Sequence, residues 1–177
     1  MSKSLIHGIE TTFECWELAL KNESTPSAIA LSRQKVPYIN PKNSKENKCE
    51  KGAYVVNLTS HESNVTLGAS GTEVDLALKV QEKLKENNIH SKVISMPCME
   101  LFDKQPEDYR KNILEENSLI ITLEAGSVMS WQKYIKNKGA NLGINKFGES
   151  APYKEVYKHF KLSEEDITNF IQKKLRK

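Results

Sequence analysis

Arg33 is the residue best placed to bind an anion. It directly follows Ser27–Ser32 (SAIALS), a short apolar run that predicts a buried strand, so it lies at the carboxyl end of that strand. Ligands of open α/β sheets bind at this end, and a guanidinium group suits two-pronged contact with a phosphate or a carboxylate. The position equally suits a surface arginine that binds no ligand. The identity of this one residue does not distinguish an anion site from such a surface position.

Two strand-to-helix turns carry further polar groups. Gly68–Thr72 (GASGT) can present backbone N–H groups to a phosphate, but it has no G-x-G-x-x-G and no Walker lysine. A tight turn with Thr72 as the helix N-cap is the simpler interpretation. Glu124 ends a strand in the segment EAGS and can act as an acid or a base. Such a carboxylate more often binds backbone amides or a neighbouring basic residue.

Cysteine and histidine lack the spacing of a metal site. The three cysteines are widely separated and form no Cys-x-x-Cys, so they predict neither a zinc site nor a disulfide framework. No nucleophile signature surrounds Cys98, which favours a half-buried structural thiol there. The four histidines, His7, His61, His90 and His159, fall in unrelated segments.

The composition excludes several classes of protein. A length of 177 residues fits one domain, or one domain with an appended piece. The net charge of +3, from 26 basic and 23 acidic residues, argues against a nucleic-acid binder of the histone type. No apolar run is long enough to span a membrane, and the N-terminus has no signal-peptide core. We therefore expect a soluble, reduced, cytoplasmic protein without nucleic-acid or membrane partners.

The N-terminal region predicts only half of a domain. Ile9, Phe13, Trp16 and Leu20 follow helical spacing and share one face of a helix. The strand Ser27–Ser32 comes next, so the chain opens as a βαβ unit that lacks its first strand. If so, this helix exposes apolar surface, because Phe13 and Trp16 have no complete sheet to pack on. They then fold back on the second domain, pair with another copy of the chain or await an upstream chain.

A segment without periodicity separates this region from the rest. Residues 35–52 are rich in proline, asparagine and lysine, which is typical of a linker or a long surface loop. We place the boundaries at 1–37 for the remnant of one α/β domain, 38–52 for the linker and 53–177 for a second domain.

From Ala53 onward, strand and helix patterns alternate. This alternation predicts an α/β fold, with a mainly parallel sheet of about five strands flanked by helices. The predicted strands are Ala53–Leu58, Asn64–Gly68, Lys92–Ser95, Ser118–Leu123 and Ala140–Ile144. The predicted helices are Thr72–Asn87, about Pro106–Leu114, about Met129–Ile135, one after Pro152 and one that begins at a capping box of Ser163 and Asp166.

Five segments occur in order along the chain: LGASGTEV (67–74), VISMP (93–97), FDKQ (102–105), EAG (124–126) and FGESAP (147–152). As an ordered set at the right intervals, they closely resemble the C-terminal domain of transketolase. Leu31-Ser32-Arg33-Gln34 also resembles the end of the middle, pyrimidine-binding domain of that family. The resemblance extends from about Gly8 to Leu175. The related deoxyxylulose-phosphate synthases and the β subunits of 2-oxo acid dehydrogenases match the SMP and FGESAP segments less well.

The resemblance implies transfer of a two-carbon ketol unit between sugar phosphates, in the pentose phosphate pathway, with thiamine diphosphate and Mg²⁺. In that family a Gly-Asp-Gly motif with a later asparagine holds the diphosphate and the metal, and the activating glutamate lies in the middle domain. This chain has no Gly-Asp-Gly and no counterpart of that glutamate. We expect no catalytic, cofactor-binding or metal-binding residue here. Arg33 is the single substrate-binding residue that the resemblance implies, with the substrate phosphate as its ligand.

Two functional hypotheses follow. In the first, the chain is the C-terminal part of a transketolase, inactive alone and structural in role. Its partners are then the missing N-terminal and middle domains or a subunit that carries them, and a homodimer is also possible. In the second, it is a stand-alone, non-enzymatic module that binds an anion or a partner.

Overall fold

The N-terminal residues form a complete βαβ unit in the structure, a computed structural model. Strand β1 (Ser2–Ile6), helix α1 (Gly8–Lys21) and strand β2 (Ser27–Leu31) follow one another, and β1 runs parallel to β2. The expectation of a missing first strand was therefore wrong. The segment SKSLI has weak strand propensity, so it is the backbone pairing with β2 that defines this strand. The structure describes residues 2–6, 8–32, 36, 46–60, 62–115, 117–135 and 139–176.

Helix α1 packs on the rest of the chain with a face that the apolar spacing did not indicate. Among its described side chains, Thr11 and Cys15 are buried, while Phe13, Trp16 and Leu20 are exposed. Strand β2 was expected to be buried, but its side chains are half-buried or exposed. In the described part of the chain, this small sheet has only two strands, which leaves much of its surface uncovered.

Five strands form the main sheet in the order β3-β5-β4-β6-β7. The four later strands are all parallel to one another, and β3 at the edge is antiparallel to β5. The predicted mainly parallel sheet is therefore confirmed. The chain reverses direction between β3 and β4 as the sequence indicates, yet β5 lies between these two strands. The strands are β3 (Tyr54–Leu58), β4 (Val65–Ala69), β5 (Ser91–Ser95), β6 (Leu119–Glu124) and β7 (Ala140–Gly143).

Helices flank the main sheet. The capping box is confirmed, because the Ser163 hydroxyl accepts a hydrogen bond from the Asp166 N–H at 3.2 Å. The helix expected near Met129–Ile135 is a 3₁₀ segment, Val128–Tyr134. Helix α3 was not predicted, since five residues are too few to show a period. The helices are α2 (Glu73–Glu86), α3 (Met99–Asp103), α4 (Glu107–Leu114), α5 (Tyr153–His159) and α6 (Glu164–Leu175), with a further 3₁₀ turn at Lys48–Lys51.

Two apolar clusters cover the two faces of this sheet. Successive residues of β5 show the division: Val93 joins the cluster under α2 and α6, and Ile94 joins the cluster around Phe102 and Trp131. This packing fixes the carboxyl ends of the parallel strands, where a site would lie. Within the described ranges, every helix falls short of the length and apolarity needed to cross a membrane.

Candidate functional site

The strand order creates a crevice between β4 and β6. The chain passes from β4 to β5 on one side and then crosses to β6 on the other side of β4. In open α/β sheets, ligands bind outside the carboxyl ends of the strands at such a switch point. Ser70 follows β4 and Glu124 ends β6, so the structure brings together the two turns that the sequence singled out.

Glu124 is held by a hydroxyl and an indole. Its Oε2 accepts hydrogen bonds from Ser70 Oγ at 2.9 Å and from Trp131 Nε1 at 3.0 Å. Burial raises the pKa of the Glu124 carboxyl, and the nearby Glu73 charge adds to this, while the two hydrogen bonds act in the opposite direction. The carboxylate therefore ties the β4 turn to the 3₁₀ segment that carries Trp131. Its partners are neither the backbone amides nor the basic residue that the sequence favoured.

Glu73 is a second buried carboxylate at the same crevice. Its Oε1 accepts hydrogen bonds from Thr72 Oγ1 at 2.7 Å and from the Tyr157 hydroxyl. Burial and the Glu73 charge both raise the pKa of the Tyr157 phenol. Thr72 occupies the cap position, but it has helical backbone angles and its side chain makes no cap hydrogen bond. Sequence reasoning missed Glu73 because its partner Tyr157 is 84 residues away.

These carboxylates make the crevice unsuitable for an anion. A phosphate here would meet Glu73 and Glu124, and like charges repel strongly when they are partly buried. The turn also uses its own N–H groups: Glu73 N donates to Ser70 O at 3.2 Å and Val74 N to Gly71 O at 3.4 Å. The simpler sequence interpretation, a tight turn, describes this loop better than a phosphate cradle does.

The exposed side of α1 is a second candidate surface in the described part of the chain. Phe13, Trp16 and Leu20 are 69%, 50% and 76% exposed, and we call these three side chains the α1 outer face. Trp16 and Leu20 also line a cleft of about 440 Å³ beside β2. The prediction that this helix exposes apolar surface is confirmed. Contiguous apolar side chains of this kind mark a surface for protein contact.

The opposite side of α1 holds the helix against the main domain. The Cys49 N–H donates to Glu14 Oε2 at 3.2 Å, and the Thr11 and Tyr54 hydroxyls lie 3.3 Å apart. The α1 outer face is therefore presented outward from a helix that is fixed on its other side.

Comparison with known proteins identifies the family. Residues 52–163 match the family described as "Transketolase-like TK C-terminal domain". The chain belongs to this family. It is 40% identical over 162 residues to a transketolase from Rhodobacter capsulatus, across 88% of this chain and 24% of that protein. A solved transketolase from Pichia stipitis superposes with a TM-score of 0.87 at 29% identity and covers 99% of this chain and 25% of its own.

The chain spans about a quarter of the length of these transketolases. A split-gene transketolase, described as an inactive β4 tetramer, covers 99% of this chain and 58% of its own with a TM-score of 0.79. At 22% identity this likeness shows a shared fold alone. The resemblance drawn from the five sequence segments and the predicted fold class are thus confirmed.

Arg33, the residue that the transketolase resemblance singled out, lies outside the described residues. Its assignment to a substrate phosphate stays a prediction. The structure describes β2 up to Leu31 and the following residue, Ser32. In the sequence, Arg33 follows two residues after the end of this strand, which pairs in parallel with β1.

The other candidate residues from the sequence are the cysteine at position 98 and the histidines. Cys98 is almost fully buried, burial raises the pKa of its thiol, and Sγ donates to Glu100 Oε2 at 3.6 Å. His90 and His159 lie in separate segments, while His7 and His61 are outside the described residues. Across the described ranges, no three His, Cys, Asp or Glu side chains group closely enough to hold a metal ion.

Proposed function

We propose that these 177 residues form the C-terminal part of a transketolase, which transfers a two-carbon ketol unit between sugar phosphates in the cytoplasmic pentose phosphate pathway. Family membership supports the reaction class. The observation that carries the proposal is the α1 outer face, because it presents an unpartnered apolar surface on the unit that precedes the family domain. The remaining transketolase domains, on the same or on another polypeptide, are the partner proposed for this surface.

The chemistry belongs to those other domains in this proposal. Thiamine diphosphate and Mg²⁺ serve the complete enzyme, yet the acidic crevice at Glu73 and Glu124 does not fit a diphosphate. The part played by this chain is positional. The main domain holds α1 through Glu14 and Tyr54. In this proposal Arg33, which follows β2 in the sequence, contacts the substrate phosphate.

Complementation tests the proposal. A transketolase shortened by the segment that this chain matches, such as the Rhodobacter capsulatus relative, is assayed for ketol transfer from a ketose phosphate to ribose phosphate. We expect no turnover by the 177-residue chain alone and restored turnover by the mixture. The variant Phe13→Ala with Trp16→Ala loses this restoration, because it removes the apolar contact. Met129→Ala, which alters an exposed apolar side chain outside α1, preserves it.

The outcomes separate the two functional hypotheses. Turnover by the chain alone contradicts the positional role. Tight binding to the shortened enzyme without turnover supports instead a non-enzymatic module that binds a partner. The acidic crevice gives no support to the anion-binding form of that alternative.

Arg33 has a test of its own in the same mixture. Arg33→Ala is expected to raise the Michaelis constant for phosphorylated acceptors and to leave unphosphorylated ones unaffected, because only the former have the anion it would bind. One charge-assisted hydrogen bond contributes about 1.5–3 kcal/mol. Since association costs at least about 4 kcal/mol, the chain alone should bind a sugar phosphate at millimolar concentration or more weakly. Equal loss for both substrate classes contradicts the phosphate role.

A further inference from the structure

Two of the three cysteines meet across the junction between the N-terminal unit and the main domain. Cys15 lies on α1 and Cys49 lies in the 3₁₀ turn Lys48–Lys51, and neither forms a disulfide in the structure. They are 3% and 0% exposed and pack in one cluster with Tyr54. The Cys15 thiol is the largest of the influences that raise the pKa of the Cys49 thiol, as expected of a close neighbour.

Hydrogen bonds between neighbouring residues hold together the two segments that carry these cysteines. Glu14, next to Cys15, accepts the Cys49 N–H on its carboxylate at 3.2 Å. The backbone carbonyl of Glu14 accepts from Asn47 Nδ2 at 2.9 Å. Asn47 Nδ2 also donates to Glu17 Oε2 at 2.8 Å. The 3₁₀ turn is therefore fixed against the turn of α1 that carries Cys15, and the proximity of the sulfurs follows from this packing.

We propose that Cys15 and Cys49 form a disulfide when the chain meets a low-molecular-weight disulfide such as oxidised glutathione. The bond fastens the βαβ unit β1–α1–β2 to the five-stranded domain. The inference concerns a modification site of this chain and holds whether or not the proposed function does.

The reaction is a pair of thiol–disulfide exchanges. One cysteine thiolate attacks the oxidant, forms a mixed disulfide and releases one small thiol. The second cysteine then attacks the protein sulfur of the mixed disulfide, which forms the Cys15–Cys49 bond and releases the second small thiol. The protein loses two hydrogen atoms and two electrons, and the oxidant gains them.

Burial sets the rate of this reaction. The neighbouring Cys15 thiol and burial together raise the pKa of Cys49, so little thiolate is present at neutral pH. Oxidant reaches the pair when α1 opens locally from the 3₁₀ turn, and reclosure brings the second thiol to the mixed disulfide. The reaction is therefore expected to be slow at neutral pH and to accelerate as the pH rises.

The test uses the full chain, freed of reductant and incubated with oxidised glutathione. Intact mass and a non-reducing peptide map are expected to show the loss of two hydrogen atoms and a Cys15–Cys49 peptide. Titratable thiols fall from three to the single Cys98. The oxidised chain melts at a higher temperature than the reduced chain, because the new loop constrains the unfolded state.

Cys98→Ala is the matched control, since Cys98 is also buried but packs beside Glu100. It keeps the cross-link, whereas Cys15→Ala, with its fold checked by circular dichroism, loses it. The proposal is overturned by glutathione adducts without the internal bond, by a linkage to Cys98, or by links between chains. It is also overturned if the folded chain keeps all three thiols in an oxidant that modifies the unfolded chain.

Discussion

Glu124 shows how a single residue can look catalytic in sequence and be structural in the fold. It ends a strand at a switch point, which is a common place for an acid or a base. Its Oε2 nevertheless binds Ser70 and the buried indole of Trp131. Both donors are neutral, so the raised pKa of the carboxyl reflects burial that the hydrogen bonds offset only in part.

This environment predicts a dependence of stability on pH. Because the folded pKa lies above the ordinary value of 4.5, the protonated carboxyl favours the folded state. That contribution is complete below the ordinary value and is lost as the pH rises through the raised folded pKa. Glu124→Gln is neutral and keeps an oxygen acceptor, so it should flatten the fall of the unfolding free energy that the unchanged chain shows as the pH rises above 4.5. Urea denaturation at each pH measures this.

Glu86→Gln, at an exposed position on α2, is the control. It should leave the slope of the unfolding free energy against pH the same as in the unchanged chain. An unchanged slope in Glu124→Gln contradicts the buried-acid interpretation.

Gly52 and Gly71 allow a matched comparison of two glycines with positive φ. Gly52 has a φ of 78°, and a Cβ there would lie 2.2 Å from the backbone nitrogen of Phe102. Gly71 has a φ of 55° and open space around it. The left-handed conformation costs a residue with a Cβ roughly 1–2 kcal/mol, and overpacking adds about 1–3 kcal/mol.

Gly52→Ala is therefore expected to lower the unfolding free energy by about 3 kcal/mol or more, and Gly71→Ala by about 1–2 kcal/mol. Chemical denaturation of both variants measures the difference. Equal losses would mean that the backbone of α3 moves away from the new methyl group at little cost.

At the scale of elements, α1 has two faces with different tasks. Cys15 and Thr11 pack towards the main domain, while Phe13, Trp16 and Leu20 face outward. The four-residue and three-residue spacing of the apolar side chains indicated the helix correctly. It did not indicate which face packs on the rest of this chain, because a surface meant for a partner has the same period as a core.

This arrangement predicts self-association of the chain when other transketolase domains are absent. The α1 outer face is expected to bury itself against a second copy, since exposed apolar surface favours association. Sedimentation velocity should show a concentration-dependent mass, which Phe13→Ala with Trp16→Ala reduces to that of a monomer. Met129→Ala is the control and should leave association unchanged. A strictly monomeric mass for the unchanged chain contradicts the prediction.

At the scale of the whole molecule, the described residues form one large sheet and one small sheet. The five-stranded sheet has apolar clusters on both faces. The two-stranded sheet carries half-buried and exposed side chains on β2. The N-terminal unit touches the larger domain through α1 and through β1, which lies beside α3. The end of the predicted linker belongs with the larger unit, because Cys49 is fully buried and Gly52 O accepts a hydrogen bond from Cys98 N.

We predict that residues 53–177 fold on their own and that the N-terminal unit is the least protected part of the chain. A small interface gives a low free energy of local opening, so backbone amides of α1 should exchange faster than those of β4 and β6. Hydrogen exchange followed by mass spectrometry measures both regions. Loss of structure on removal of residues 1–50 contradicts the proposed boundary.

The sequence by itself determined the main elements and the family. Helices and strands differ in the spacing at which apolar residues recur. The sequence therefore specifies the structure locally in the periodic segment Thr72–Asn87 and in the apolar run Ser118–Leu123. The ordered segments from LGASGTEV to FGESAP indicated the family in the same local way.

Only the tertiary structure decided which residues meet. The partners of Glu124, the pairing of Glu73 with Tyr157, the strand β1 and the contact of Cys15 with Cys49 depend on residues far apart in the chain. The spacing of residue types along the sequence does not indicate such contacts. They arise when strand order and helix packing bring distant segments together, and their free energy outweighs weak local preference, as it does in the SKSLI strand.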